Sequence, residues 1–192
     1  MNLPNKLTLA RIAIVPFFVA ALLLSENSPA FRIIAFVLFL AACITDTLDG
    51  NIARARNLIT DFGKLLDPIA DKLLVSSAII CFVQLGSLPA WIAIIIIARD
   101  FIISGFRLLA ADKGVVIAAS VLGKAKTVAQ MIMIGLLIFN QPHLSFLNNL
   151  FIVIVLILTV VSLVDVIRKN LYILKDNTVS EDEFEDSEQS GN

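Results

Sequence analysis

The run Leu150-Phe151-Ile152-Val153-Ile154-Val155-Leu156-Ile157-Leu158-Thr159-Val160-Val161-Ser162-Leu163-Val164-Asp165-Val166 carries a single charge, Asp165, in 17 residues. A helix crossing the hydrocarbon core of a bilayer needs about 20 mostly apolar residues. A run this uniform has neither the alternation nor the closely spaced turns of a barrel strand. Inside lipid the backbone must satisfy its own hydrogen bonds, so the run reads as a transmembrane helix. Working back toward the N-terminus, five more apolar stretches precede it, at about 123–139, 90–111, 67–85, 31–54 and 7–24. Turn-forming residues separate several of them: Asn140-Gln141-Pro142-His143, Gly86-Ser87-Leu88-Pro89 and Ser25-Glu26-Asn27-Ser28-Pro29. The expected fold is all-α, a polytopic membrane bundle of six transmembrane helices.

Composition excludes a soluble domain. The 192 residues are 58% hydrophobic and 16% charged, where soluble domains have about 45–50% and 25%. The mean hydropathy is +0.91. One membrane-embedded domain is expected over residues 1–175, followed by a tail at 176–192. That tail holds seven of the 16 acidic residues and no Lys or Arg. It lacks apolar periodicity and reads as disordered, with no catalytic role. The remainder has 15 Lys and Arg against nine acids, a net of +6. Such a body suits an anionic lipid surface and phosphate-bearing substrates; no nucleic-acid partner is expected. Cys43 and Cys81 lie in apolar stretches without CxxC spacing and read as buried small hydrophobes. Lys6 and Arg11 precede or open the first apolar run, which is not followed by a small-residue cleavage motif. It reads as a retained span.

Six spans put both termini on one side of the membrane. That side then receives 14 of the 15 basic residues, and only Arg32 falls on the other. The positive-inside rule places the termini and the connections 55–66 and 112–122 in the cytoplasm. Trp91 opens the fourth span as an interfacial anchor, and His143 stands alone on an outer turn.

Against this apolar background, four carboxylates are regularly spaced. Asp46 and Asp49 are i,i+3; Asp67 and Asp71 are i,i+4. Each spacing sets both side chains on one helix face. The pairs sit near the cytoplasmic ends of spans two and three, which a short connection makes antiparallel neighbours. The four groups are therefore expected to converge at the cytoplasmic membrane boundary. Close carboxylates repel unless protonated or neutralised by a cation. Hard oxygen ligands suit Mg²⁺, Mn²⁺ or Ca²⁺, and the absence of His and Cys among them disfavours zinc. Solvated loop acids are the plainer alternative, although ionisable residues inside membranes are functional by default. Gly50 and Ala53 leave the backbone open to a ligand or second helix. Arg54 suits phosphate oxygens. Gly63 lies four residues before Asp67, on the same stripe.

Written out, the segment is Asp46-x-x-Asp49-Gly50-x-x-Ala53-Arg54, eight residues, Gly63-x-x-x-Asp67-x-x-x-Asp71. It resembles the CDP-alcohol phosphatidyltransferase family, matching every fixed position of the family's DxxDGxxAR…GxxxDxxxD motif. The six-span layout extends the resemblance over about residues 1–175. It implies a CDP-linked donor, often CDP-diacylglycerol, whose phosphatidyl group passes to an alcohol with release of CMP. It further implies that Asp46, Asp49 and Asp67 ligate a two-metal centre holding Mg²⁺ or Mn²⁺. Asp71 would be both metal neighbour and general base. Gly50, Ala53, Arg54 and Gly63, together with Asp46, Asp49 and Asp67, would receive the CDP moiety. A homodimer in the membrane is implied as well. The chemistry is consistent: two cations neutralise the pyrophosphate, a carboxylate takes the acceptor's proton, and attack falls on the β-phosphorus in line with the leaving CMP.

Three further segments bear on the acceptor. Pro4-Asn5-Lys6-Leu7-Thr8-Leu9-Ala10-Arg11 resembles the start of the bacterial phosphatidylglycerophosphate synthase branch of that family, which implies that Asn5 and Thr8 touch the nucleotide or its phosphates. Helix capping and interfacial anchoring are their alternative roles. The fourth span carries Arg99, Asp100 and Arg107, with Asp100 and Arg107 seven apart on one stripe. An intramembrane ion pair is the expected role of Asp100, while Arg107 is placed to bind phosphate. Gly123-Lys124-Ala125-Lys126-Thr127 again resembles that branch. It lacks the glycine spacing and preceding strand of a P-loop. Lys124 and Lys126 point in different directions on a regular helix, so one of the two is expected to enter an anion pocket with Arg107 and Arg99. A phosphate-bearing acceptor needs such a pocket, and sn-glycerol 3-phosphate fits. Positive-inside marking is the alternative role of the lysines.

Other readings stay open at this point. Inositol phosphate also needs a phosphate pocket. A free amino acid such as serine does not call for so many cations. A divalent-cation transporter would keep buried carboxylates too, but near the midplane and with repeat symmetry.

Overall fold

The computed structural model describes residues 3–55, 61–112 and 120–170, with the side chains of 3–7, 46–55, 61–68, 71 and 112 outside the description. The described residues form six α-helices and no strand. They are α1 (Leu3–Leu23), α2 (Pro29–Ala55), α3 (Asp61–Gln84), α4 (Ala90–Asp112), α5 (Val121–Phe139) and α6 (Ser145–Asn170). Short 3₁₀ turns at Leu24–Glu26 and Pro142–Leu144 join α1 to α2 and α5 to α6.

The local sequence explains where the helices stop. Ser28 caps α2, its Oγ accepting from the Ala30 N–H at 3.3 Å, with Pro29 at the first helical position. Ser120 caps α5, accepting from the Gly123 N–H at 3.0 Å. Gly86 (φ 67°) follows α3, and Asn140 (φ 38°) ends α5; both stand in the left-handed region that terminates helices. Three helices clearly exceed the expected spans. α1 begins at Leu3 rather than near residue 7, α3 begins at Asp61 rather than near 67, and α6 begins at Ser145 rather than near 150. Helical hydrogen bonding is not confined to hydrocarbon, so a helix runs on through polar residues until a cap stops it.

The core is a single apolar seam. Phe18 and Leu22 of α1 meet Phe39 of α2, Ile79 and Phe82 of α3, Ile96 of α4, Met133 and Ile134 of α5 and Val155 of α6. The Phe18 and Phe39 rings lie 6.1 Å apart. α1 packs on both α2 and α3; α6 packs on α4 and α5. Outside the seam the bundle is apolar again, with Phe17, Ile33, Val37, Ile80, Ile94, Phe101, Leu108, Phe146 and Ile157 exposed. A water-soluble protein does not display apolar surface on every helix. The chain is a membrane protein.

Three stretches are long and apolar enough to cross a bilayer unaided: Thr8–Glu26, Val121–Phe139 and Pro142–Asn170. α2 and α3 contribute shorter apolar stretches, Pro29–Thr45 and Lys72–Gln84. α4 is interrupted by Arg99, Asp100 and Arg107.

Side chains tie three inter-helix turns together at one end of the bundle. Arg32 donates from Nε to the Ser25 carbonyl at 3.2 Å and from Nη1 to the Phe139 carbonyl at 3.1 Å. Asn140 Nδ2 donates to Ser87 Oγ at 3.1 Å. The α1–α2, α3–α4 and α5–α6 turns are thus neighbours, and consecutive helices alternate in direction. The one basic residue that charge placement isolated, Arg32, holds this end closed. Cys43 and Cys81 are free thiols; Cys81 is buried as expected, whereas Cys43 is half-buried.

Candidate active site

A cavity of about 170 Å³ opens among α3, α4 and α5. Its walls carry Lys72 and Val75 from α3, Arg99, Asp100, Ile103, Ser104 and Arg107 from α4, and Gly123, Lys124, Lys126, Thr127, Gln130 and Met131 from α5. Five of these side chains are cationic and one is anionic, so the lining is predominantly positive. Spacing explains the clustering. Residues 99, 100, 103 and 107 fall on one side of α4, and 123, 126, 127 and 130 on one side of α5, at helical intervals of three and four.

Asp100 organises the cations. Lys126 Nζ donates to both of its carboxylate oxygens, at 2.6 Å and 2.7 Å. Arg99 Nη1 donates to Asp100 Oδ1 at 3.0 Å. The other edge of the Arg99 guanidinium is held by α6: Nε and Nη2 donate to Ser162 Oγ at 3.2 Å and 2.9 Å. Ser162 is fully buried, and its hydroxyl donates to the Thr159 carbonyl at 3.1 Å. A guanidinium offers five N–H donors; three are engaged here, which leaves one on each terminal nitrogen for a ligand. A Cβ at Gly123 would make ordinary contact with Arg99 Nη2 at 3.6 Å and press on the capping Ser120 Oγ at 3.3 Å.

Asp100 sits in an intramembrane ion network, as expected, and its partners are Arg99 and Lys126. One expectation is revised. Both Lys124 and Lys126 border the cavity, where one was expected. Lys126 enters as a buried amine with 2% side-chain exposure, and Lys124 stands exposed at the rim. A four-methylene stem reaches round the helix further than the direction of its Cα–Cβ bond suggests. Arg107 is also exposed at the rim. Ser162 and Gln130 were not singled out from sequence, although each is an isolated polar residue in an apolar run.

The aspartates are described through their backbone alone. Asp46 and Asp49 lie in α2, and Asp67 and Asp71 lie in α3. These are antiparallel neighbours in contact with each other, so the i,i+3 and i,i+4 spacings hold as true helical spacings. Lys72 and Val75, one and four positions after Asp71, line the cavity. The turn of α3 that carries Asp71 is therefore beside it. The side chains of Asp46, Asp49, Asp67 and Asp71, and those of Asn5, Gly50, Ala53, Arg54 and Gly63, lie outside the described residues, as does the tail at 176–192. Among the described residues no group of three or more His, Cys, Asp or Glu gathers. Thr8 is buried with Arg11 on the stripe of α1 that continues through Val15, Phe18 and Leu22. That helix packs against α2 and α3.

The chain is similar to known proteins of one family. The sequence profile of the CDP-alcohol phosphatidyltransferase family matches residues 1–161. A Bacillus subtilis protein named CDP-diacylglycerol–glycerol-3-phosphate 3-phosphatidyltransferase is 48% identical over 152 residues, covering 73% of this chain and 79% of its own. A Rickettsia bellii protein of the same name is 44% identical over 140 residues, covering 73% and 76%. One from Haemophilus influenzae is 37% identical over 182 residues, covering 92% and 97%. The matched span contains both aspartate pairs and every cationic residue of the cavity, and on that ground the chain belongs to the CDP-alcohol phosphatidyltransferase family.

Proposed function

We propose that the protein transfers the phosphatidyl group of CDP-diacylglycerol to sn-glycerol 3-phosphate, giving phosphatidylglycerol phosphate and CMP. The observation that carries the acceptor is the cationic cavity beside the Asp71 turn. An alcohol without its own anion has no use for Arg99, Arg107, Lys124 and Lys126 around one space. The names of the relatives point to the same acceptor.

The donor set fits a divalent cation. Four carboxylates on two adjacent antiparallel helices, with no His or Cys between Asp46 and Asp71, suit Mg²⁺ or Mn²⁺. Asp46, Asp49, Asp67 and Asp71 would hold two such ions, which neutralise the donor pyrophosphate and stabilise the oxygen that departs with CMP. Asn5 and Thr8 on α1, with Gly50, Ala53, Arg54 and Gly63, receive the CDP moiety. The burial of Thr8 on the face of α1 that meets α2 and α3 supports its place there. Arg99, Arg107, Lys124 and Lys126 bind the acceptor phosphate and so aim its primary hydroxyl at the donor β-phosphorus. The hydroxyl oxygen forms the new P–O bond, the bond to the CMP oxygen breaks, and Asp71 takes the hydroxyl proton. Direct displacement needs no nucleophilic Ser or Cys.

All six helices cross the membrane in this reading. The charges of α4 are tolerable there because Lys126 and Ser162 answer them from neighbouring helices. Both termini and the active site face the cytoplasm of a bacterial cell, at the end opposite the Arg32 cluster, and the protein works as a homodimer among membrane lipids. The test is CMP release by the purified protein in mixed micelles with CDP-diacylglycerol and Mg²⁺, offered glycerol 3-phosphate, inositol phosphate, serine or no acceptor. Release with glycerol 3-phosphate alone is expected. Release with inositol phosphate or serine instead would keep the family and overturn the acceptor.

A further inference from the structure

The acceptor cavity holds one polar group that the phosphate does not use. Gln130 sits one turn past Lys126 on α5, is 3% exposed and lines the cavity. Its Nε2 is buried and has no hydrogen-bond partner among the described residues. The other neutral polar side chains of the wall are engaged: Ser104 Oγ donates to the Asp100 carbonyl at 2.7 Å, and Thr127 Oγ1 donates to the Gly123 carbonyl at 3.1 Å. Buried amide donors are normally satisfied, and an unsatisfied one is costly. Gln130 is thus a residue of the cavity wall whose amide is not fully satisfied, and a small turn of the side chain would offer it to a ligand in the cavity.

Glycerol 3-phosphate has three polar groups. The phosphate goes to the cations, and the primary hydroxyl must face the donor phosphorus. The secondary hydroxyl at C2 remains. We propose that Gln130 is a specificity-determining residue that hydrogen-bonds this hydroxyl, the one not consumed in the reaction. The inference rests on the acceptor reading above. A carboxamide suits the task because it is neutral and both donates and accepts, as a hydroxyl does. The match holds whichever way the amide is turned, since a hydroxyl complements either end. The five cations at the cavity recognise charge and cannot distinguish one phosphorylated alcohol from another; a neutral group in the wall can.

The experiment compares glycerol 3-phosphate with 3-hydroxypropyl phosphate, which keeps the phosphate and the primary hydroxyl and lacks only the C2 hydroxyl. The readout is kcat/KM for each acceptor at saturating CDP-diacylglycerol. The wild-type protein is expected to favour glycerol 3-phosphate on the order of tenfold, the size of one neutral hydrogen bond. Gln130→Met, close in volume and apolar, should lower turnover of glycerol 3-phosphate by about that factor, leave 3-hydroxypropyl phosphate unchanged and so abolish the preference. Equal use of the two acceptors by the wild type would overturn the inference without any variant. A preference that survives in Gln130→Met would overturn it too, and would indicate that a bound water satisfies the amide. No turnover of glycerol 3-phosphate by active wild-type protein would instead remove the acceptor reading on which the inference depends.

Discussion

Replacing Asp100 by Asn tests whether the cations of the cavity are held by a carboxylate. The side chain keeps its shape and loses its charge. Lys126, with only 2% side-chain exposure, then faces an amide, and Arg99 loses its ionic partner. Removing one member of a fully buried pair costs about 3–5 kcal/mol; Asp100 is 19% exposed and Lys126 keeps a further interaction, so the low end, about 3 kcal/mol, is expected. A domain of this size shifts its melting temperature by about 2–4 °C per kcal/mol. The loss for Asp100→Asn should therefore be on the order of 10 °C. The companion change, Lys126→Met, leaves Asp100 with Arg99 as a partner and should cost less, about 1–3 kcal/mol. Combining the two removes both halves of the uncompensated pair. The double variant should be more stable than Asp100→Asn alone, with a coupling of at least about 1 kcal/mol. The assay is thermal unfolding of the detergent-solubilised protein followed by circular dichroism, all four proteins in one buffer. A melting temperature for Asp100→Asn within about 2 °C of wild type, or two costs that simply add, would refute the reasoning.

Three other outcomes are expected. Asp71→Asn should abolish CMP release while leaving binding of the CDP donor largely intact by isothermal titration, since only the proton acceptor is removed; substantial residual turnover would remove Asp71 as the base. Ser162→Ala deletes the hydroxyl that receives two Arg99 donors and should raise KM for glycerol 3-phosphate roughly tenfold with kcat and the donor KM little changed. Ser162→Thr should restore the wild-type value, whereas equal losses on donor and acceptor would mean a packing role. Arg107→Ala should raise the acceptor KM more than the donor KM, and an equal rise in both would mark Arg107 as structural.

What could be read from sequence follows physical range. The six helices were legible because apolar runs and their breakers are local: Gly86 and Asn140 take up the left-handed conformations that their residue types permit. The aspartate pairs were legible because their spacings are helical periods within α2 and α3. The Asp100 network was legible only in part. A charge in an apolar run announces that it needs a partner, but which partner depends on how α4 and α5 pack, and the 26 residues between Asp100 and Lys126 carry no sign of it. Ser162 is further removed, contacting Arg99 across 63 positions. It and Gln130 could have been noticed as lone polar residues in apolar helices. That signal is weak, because a serine in a membrane helix can also bond back to its own backbone, as Thr159 does to the Val155 carbonyl. Helix ends were the least legible, since residues 145–149 look like a turn and are helical.

The central claim is that the phosphatidyl group ends on glycerol 3-phosphate. The direct measurement follows both products at once: purified protein in micelles with CDP-diacylglycerol, Mg²⁺ and isotopically labelled glycerol 3-phosphate, with CMP and lipid-borne label quantified together. The account requires equal amounts of CMP and labelled phosphatidylglycerol phosphate, and neither when the divalent cation is chelated. CMP without label in the lipid would make the protein a hydrolase of its donor, and the absence of both from folded protein with the cation present would contradict the account.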